Sequence, residues 1–128
     1  MDIATLERKI LKESALEFQF WVQCKQDKYV PSPEWHVKLF DVETDFSWPK
    51  LIVQIQGGIE DGQGRSRGAH VRKAGYKRDR DLSNRGQLCG WTVFEFTKEH
   101  LDSNEAIELF LRPFFNRGYY GTTDTRSR

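Results

Sequence analysis

Apolar residues at Ile3, Leu6, Ile10, Leu16, Phe20 and Trp21 recur at helical spacing, and no Gly or Pro intervenes before Pro31, so the pattern predicts a first helix over residues 2–25. Stepping by sevens along that stripe from Ile3 through Ile10 to Cys24 puts Glu17 among the apolar positions. A carboxylate there either reaches water at the stripe's edge or serves a purpose that offsets its desolvation. Pro31 and Pro33 in "VPSPEW" predict a loop.

The pattern then changes period. "HVKLFDVETDFSW" alternates as a strand, with Val37, Leu39, Asp41, Glu43 and Asp45 on one face. "KLIVQIQ" is a second strand, and Pro49-Lys50 serves as the two-residue connection between them. That register sets Asp45 opposite Gln54 and Glu43 opposite Gln56. "IEDGQGRSRGAHVRKAG" reads as an exposed loop, followed by a helix over residues 71–88 and a strand at "GWTVFEFT". A last helix carries Ala106, Ile107, Leu109, Phe110 and Leu111, with Asp102 or Ser103 as its cap and Pro113 interrupting or ending it. The order α-β-β-α-β-α predicts a small α/β domain, a mixed β-sheet flanked by helices. We expect one domain over residues 1–117 and a poorly ordered tail over 118–128.

Composition narrows this little. With 20 Lys plus Arg against 19 Asp plus Glu the formal charge is +1, so only the distribution of charge can point to a partner. No apolar run is long enough to span a bilayer, and "MDIATLERKI" lacks a signal-peptide core, so a cytoplasmic protein is expected. Cys24 and Cys89 show no paired or metal-ligand spacing and read as reduced, partly buried thiols.

Two local concentrations carry the chemistry. Asp41, Glu43 and Asp45 repel one another on one strand face, which a divalent cation or a basic side chain would offset and which solvent would also relieve. Gln54 and Gln56 offer carbonyl oxygens to the same place, without charge. Beyond them Arg65, Arg67, Arg72, Lys73, Lys77, Arg78, Arg80 and Arg85 crowd about twenty residues, together with His70. A basic run beside an acidic site suits a phosphodiester substrate; a solvated charged helix is the plainer alternative.

The series "DFSWP", "LIVQIQGG", "GRSRGAHVRKAGYKRDRDLSN" and "GWTVFEFT" resembles the phage and bacterial branch of the PD-(D/E)XK nuclease superfamily that includes phage Holliday junction resolvases. It is also similar to short-patch mismatch-repair endonuclease-like domains, and the resemblance covers roughly residues 14–112. It implies a restriction-endonuclease-like fold and a Mg²⁺-dependent endonuclease, with Mn²⁺ able to substitute, acting as a homodimer on branched DNA such as a four-way junction. Carried over, the metal and catalytic residues fall on Asp45, Gln54 and Gln56, with Glu17 of "SALE" assisting. Arg65, Arg67, His70, Arg72, Lys73 and Lys77 fall to phosphate contacts, and Tyr76, Asp79 and Asn84 to organising the helix against the site. The departure is Gln54, where the family has Glu: an amide can neither carry charge nor take a proton at neutral pH. Such a residue fits a near-isosteric replacement of the catalytic Glu, or a weakened or repurposed member. The alternatives in function are a catalytically silent junction-binding protein of the same fold and a nicking or restriction-type endonuclease.

Overall fold

The structure is a computed structural model that describes residues 1–56 and 65–116, with side chains throughout except at residues 65–76. Residues 57–64 and 117–128, which include the start of the predicted exposed loop and the predicted tail, lie outside the described residues. The architecture is mixed α/β, with a small mixed sheet and helices before, between and after its strands. The chain divides into two compact units: Met1–Pro33 with the stretch from Phe96 onward, and Glu34–Glu95.

In the first unit the predicted single helix is two, α1 (Ile3–Glu13) and α2 (Ala15–Gln26). Ser14 breaks it. Its backbone is extended, with φ −160° and ψ 116°, its N–H closes α1 on the Ile10 carbonyl, and its Oγ accepts the Glu17 N–H at 3.0 Å to open α2. A serine that caps its own downstream helix competes well with helix continuation, which the apolar spacing alone does not reveal. The two helices are tied by Glu7, whose carboxylate accepts from the Trp21 indole N–H at 2.9 Å and from Lys25 Nζ at 2.9 Å. Cys24 is buried, and burial pushes its thiol pKa well up.

At the far end of the same unit, Phe96 packs on Phe20 and Phe110 with ring centroids 6.0 and 5.6 Å apart. Helix α4 (Lys98–Asp102), which the pattern did not predict, is capped by Thr97, and the predicted last helix starts after Glu105 with no side-chain cap from Asp102 or Ser103. A π-helical turn, Ala106–Leu111, then runs into α5 (Arg112–Asn116), so Pro113 neither ends nor breaks the helical run. The wide turn supplies the reason. The Arg112 N–H already reaches back five residues to Ile107, and Pro113, with no N–H to offer, follows where the ladder is shifting.

The second unit holds the sheet as far as Glu95, in the order β1 (Glu34–Trp35), β4 (Phe46–Trp48), β5 (Leu51–Gln56), β6 (Thr92–Thr97), the last two residues of β6 belonging to the first unit. Glu34–Trp35, predicted as loop, forms the edge strand, antiparallel to β4. The predicted long strand over residues 36–48 is instead a small hairpin, β2 (Lys38–Leu39) and β3 (Val42–Glu43), followed by β4. Phe40 and Asp41 turn that hairpin with φ of 52° and 64°, so the alternation stops there and the three acids do not share a strand face. The β4–β5 hairpin is as predicted, with Trp48 opposite Leu51 and Pro49-Lys50 between them.

Helix α3 (Arg65–Leu88) starts inside the stretch predicted as loop and is longer than the predicted helix. It lies over the face of β5 that carries Ile52, where Leu82 and Val42 form a core with Ile52, lined by Leu39, Phe40, Trp91 and Val93. Each such buried aliphatic contributes about 1.5–3 kcal/mol relative to exposure. Gly86 permits the close approach: a Cβ there would meet Val93 Cγ2 at 3.1 Å. The Thr92 N–H then donates to the Lys50 carbonyl at 2.9 Å, joining the start of β6 to the start of β5 in the parallel sense. Cys89, just past the helix, is exposed rather than partly buried, and both cysteines are free. Among the described residues, no helix is long and apolar enough to cross a membrane.

The Trp21 indole N–H and then Lys25 hold the Glu7 carboxyl below its ordinary pKa. A depressed carboxylate contributes stability that is full above its unfolded pKa, roughly 4.3, and is lost as pH falls through its folded value. Glu7→Gln should therefore lower stability at neutral pH and cost progressively less as pH falls, so that the two proteins converge in acid and the variant's acid limb is shallower, as read from urea denaturation at neutral pH and below about pH 4.

Candidate functional site

Register places the first pair of residues. Because Phe46 faces Val53 and Ser47 faces Ile52, the next position out sets Asp45 opposite Gln54, as the two-residue turn predicts. The backbone ladder ends there and side chains continue it. The Asp45 N–H donates to Gln54 Oε1 at 2.7 Å, and the Ile55 N–H donates to Asp45 Oδ2 at 2.7 Å. Each side chain thus satisfies a main-chain donor of the opposite strand, and Gln54 is buried at 5 % exposure with its carbonyl oxygen engaged. An amide suits that place, since a carboxylate would put a second negative charge beside Asp45 in a poorly hydrated position.

Gln56 lies two residues on, on the same face of β5 as Gln54 and Ile52, under α3. Its Nε2 donates to Asp79 Oδ2 at 3.2 Å, so its Oε1 is the atom it can offer a cation. Asp79 falls three residues before Leu82, one helical turn along the surface that packs on the sheet. The same helix is fixed to β6 by the Arg80–Glu95 ion pair.

One neighbour of Asp45 was not singled out by the sequence. His36 connects β1 to β2 with φ 60°, its N–H donates to the Asp45 carbonyl at 3.1 Å, and its ring stacks on Trp35 with centroids 3.9 Å apart. One ring nitrogen lies within 4.8 Å of an Asp45 carboxylate oxygen, and Nδ1 lies 3.6 Å from Glu43 Oε2. Nothing in composition marks it, because its position depends on a left-handed backbone and on an edge strand placed where two prolines read as loop.

The remaining predicted residues fall as follows. Glu43 is on β3, paired with β2 rather than opposite Gln56, and its side chain is largely exposed. Asp41 is exposed in the small hairpin's turn, 3.9 Å from Arg85. Glu17 belongs to the other unit, in the first turn of α2, where the Ser-x-x-Glu sequence forms a helix cap on Ser14 Oγ. Arg65, Arg67, His70, Arg72 and Lys73 lie on α3, and their side chains are outside the described residues. Lys77 is exposed and paired with Asp81 at 2.7 Å, one turn along. An exposed i, i+4 pair of this kind is weak and screened by salt, so Lys77 can exchange Asp81 for another anion.

Comparison with known proteins gives no matching family model, no similar curated protein and no similar solved structure. What the site offers is therefore read from its own atoms. Asp45 meets Gln54 at the strand end and Gln56 meets Asp79 under α3; each of the four offers hard oxygen, the donor type that Mg²⁺ or Mn²⁺ takes. The basic side chains follow on the helix that begins nine residues after Gln56.

Gln54→Glu keeps the acceptor for the Asp45 N–H but places two carboxylates together at a buried position. It should lower stability at neutral pH by about 1–3 kcal/mol in the absence of divalent cations. Millimolar Mg²⁺ should restore most of that loss; urea denaturation with and without the cation measures both.

Proposed function

We propose that this chain is a divalent-cation-dependent, structure-selective DNA endonuclease domain of restriction-endonuclease-like fold, of the type that resolves Holliday junctions, weakened by the amide at Gln54. The observation that carries the reading is the Asp45 carboxylate, fixed by the Ile55 N–H and set against the Gln54 amide at the end of the β4–β5 hairpin. That is where the resemblance calls for the metal-binding Asp and its carboxylate partner. The element order, a hairpin followed by a helix and a strand parallel to its second arm, accords with the same fold.

The donor chemistry fits the cation. Asp45 would supply the anionic oxygen, Gln54 and Gln56 neutral ones, and Asp79 orients Gln56. When bound, a divalent cation there supplies an activated water and charge stabilisation on the phosphate. The chain's own residues hold and orient. Asp45 is pinned by a backbone N–H, which fixes the aim of its carboxylate. Gln54 retains the geometry of a glutamate but cannot take a proton from the attacking water. Arg65, Arg67, His70, Arg72, Lys73 and Lys77 would hold the sugar-phosphate backbone. Two copies in a homodimer would place paired sites symmetrically on a four-way junction in the cytoplasm.

A second reading, a catalytically silent junction-binding protein, is favoured by one specific feature: Gln54 Oε1 closes the strand pair directly by accepting the Asp45 N–H, so that the amide has a structural use of its own. A paired assay separates the two. Gln54→Glu should cut a four-way junction in Mg²⁺ about 10²- to 10⁴-fold faster than the present chain, and Asp45→Asn should remove cleavage in either background. Binding without cleavage by the Gln54→Glu protein would leave the silent reading standing.

Charge reversal at Arg65 and Arg67 should weaken junction binding and make its dependence on salt concentration shallower, by about one unit of log–log slope for each phosphate no longer neutralised. An unchanged slope in fluorescence anisotropy titrations would move the DNA surface off the start of α3.

A further inference from the structure

We propose that His36 is a nitrogen ligand of the cation held by Asp45, so that the site takes a transition dication such as Mn²⁺ in preference to Mg²⁺. The inference rests on the reading of Asp45 as a cation ligand given above, and adds the identity of the metal. Three observations lead to it.

The first is distance. A ring nitrogen of His36 stands within 4.8 Å of an Asp45 carboxylate oxygen. Two donors each about 2.1 Å from one ion are at most about 4.2 Å apart, so a small rotation of either side chain closes the pair on a metal. The second is that the imidazole is held in place. Its backbone N–H is bonded to the Asp45 carbonyl at 3.1 Å, and its ring is stacked on Trp35 with only 20° between the planes. The ring therefore keeps its position beside Asp45 instead of turning to solvent. The third is Glu43, whose carboxylate lies 3.6 Å from His36 Nδ1. A carboxylate beside a coordinating imidazole orients the ring and raises its basicity, as second carboxylates do around metal-bound histidines.

Ligand chemistry then selects the ion. Carboxylate and amide oxygens alone suit Mg²⁺, which binds nitrogen poorly; an imidazole added to them shifts preference toward Mn²⁺, Fe²⁺ or Zn²⁺. Mn²⁺ is the member of that group that oxygen-rich sites also accept, and it is directly observable by electron paramagnetic resonance.

The test uses the full chain titrated with Mn²⁺. Pulsed electron paramagnetic resonance should show hyperfine modulation from a directly bound nitrogen, and Mn²⁺ should bind at least about tenfold more tightly than Mg²⁺ in competition. His36→Asn is the matched variant, because Asn tolerates the left-handed backbone at this position. It should lose the nitrogen modulation and bind Mn²⁺ about 10- to 100-fold more weakly. Mn²⁺ binding that is abolished by Asp45→Asn but shows no nitrogen modulation and no change in His36→Asn would overturn the inference and leave the cation at Asp45 in place. Absent binding, or binding indifferent to Asp45→Asn, would overturn both. Should His36→Asn fail to fold, the spectrum of the unmodified chain decides.

Discussion

The exchange between Asp45 and β5 is the constraint on which the rest of the second unit depends. At the end of β4 the backbone stops pairing, and two 2.7 Å bonds between side chain and main chain take over, Asp45 N–H to Gln54 and Ile55 N–H to Asp45. Remove either partner and a half-buried main-chain donor loses its acceptor, a cost of up to about 1–3 kcal/mol. The same bonds fix the carboxylate in one orientation, bring His36 beside it through the neighbouring edge strand, and set the strand face on which Gln56 meets Asp79. Stability and chemistry are thus written into the same atoms.

That overlap gives Gln54 a physical meaning whichever function holds. With a glutamate in its place, the strand end would carry two adjacent carboxylates and would lean on a cation to relieve them. With glutamine, the hairpin closes by itself. On the nuclease reading proposed above, the amide would trade catalytic capacity for a strand end held by its own hydrogen bonds.

How legible this was in the sequence depended on the range of the interactions involved. The pairing of Asp45 with Gln54 could be read in advance because a two-residue turn fixes register locally. The strand at residues 92–97 and the α/β class followed from apolar periodicity. What failed did so where a polar side chain or a left-handed backbone overrode that periodicity. Ser14 split the first helix, capping the second one through the Glu17 N–H. Phe40 and Asp41 adopt positive φ and fold one predicted strand into a hairpin, scattering three acids that alternation had aligned. His36 was invisible because only the pairing of a two-residue edge strand brings it near Asp45.

Gly86 links these scales. Its missing Cβ lets α3 settle on Val93, and Asp79 lies seven residues, about 10.5 Å of helix, farther back along the same rod. A side chain at Gly86 would act as a wedge under one end of a lever, so that a tilt of a few degrees would move the other end by several tenths of an ångström. The bond most sensitive to that motion is the 3.2 Å one from Gln56 to Asp79, already the longest of the three that shape the site. The alignment of the polar cluster is in this sense gauged from the opposite end of the helix, by the absence of a single carbon.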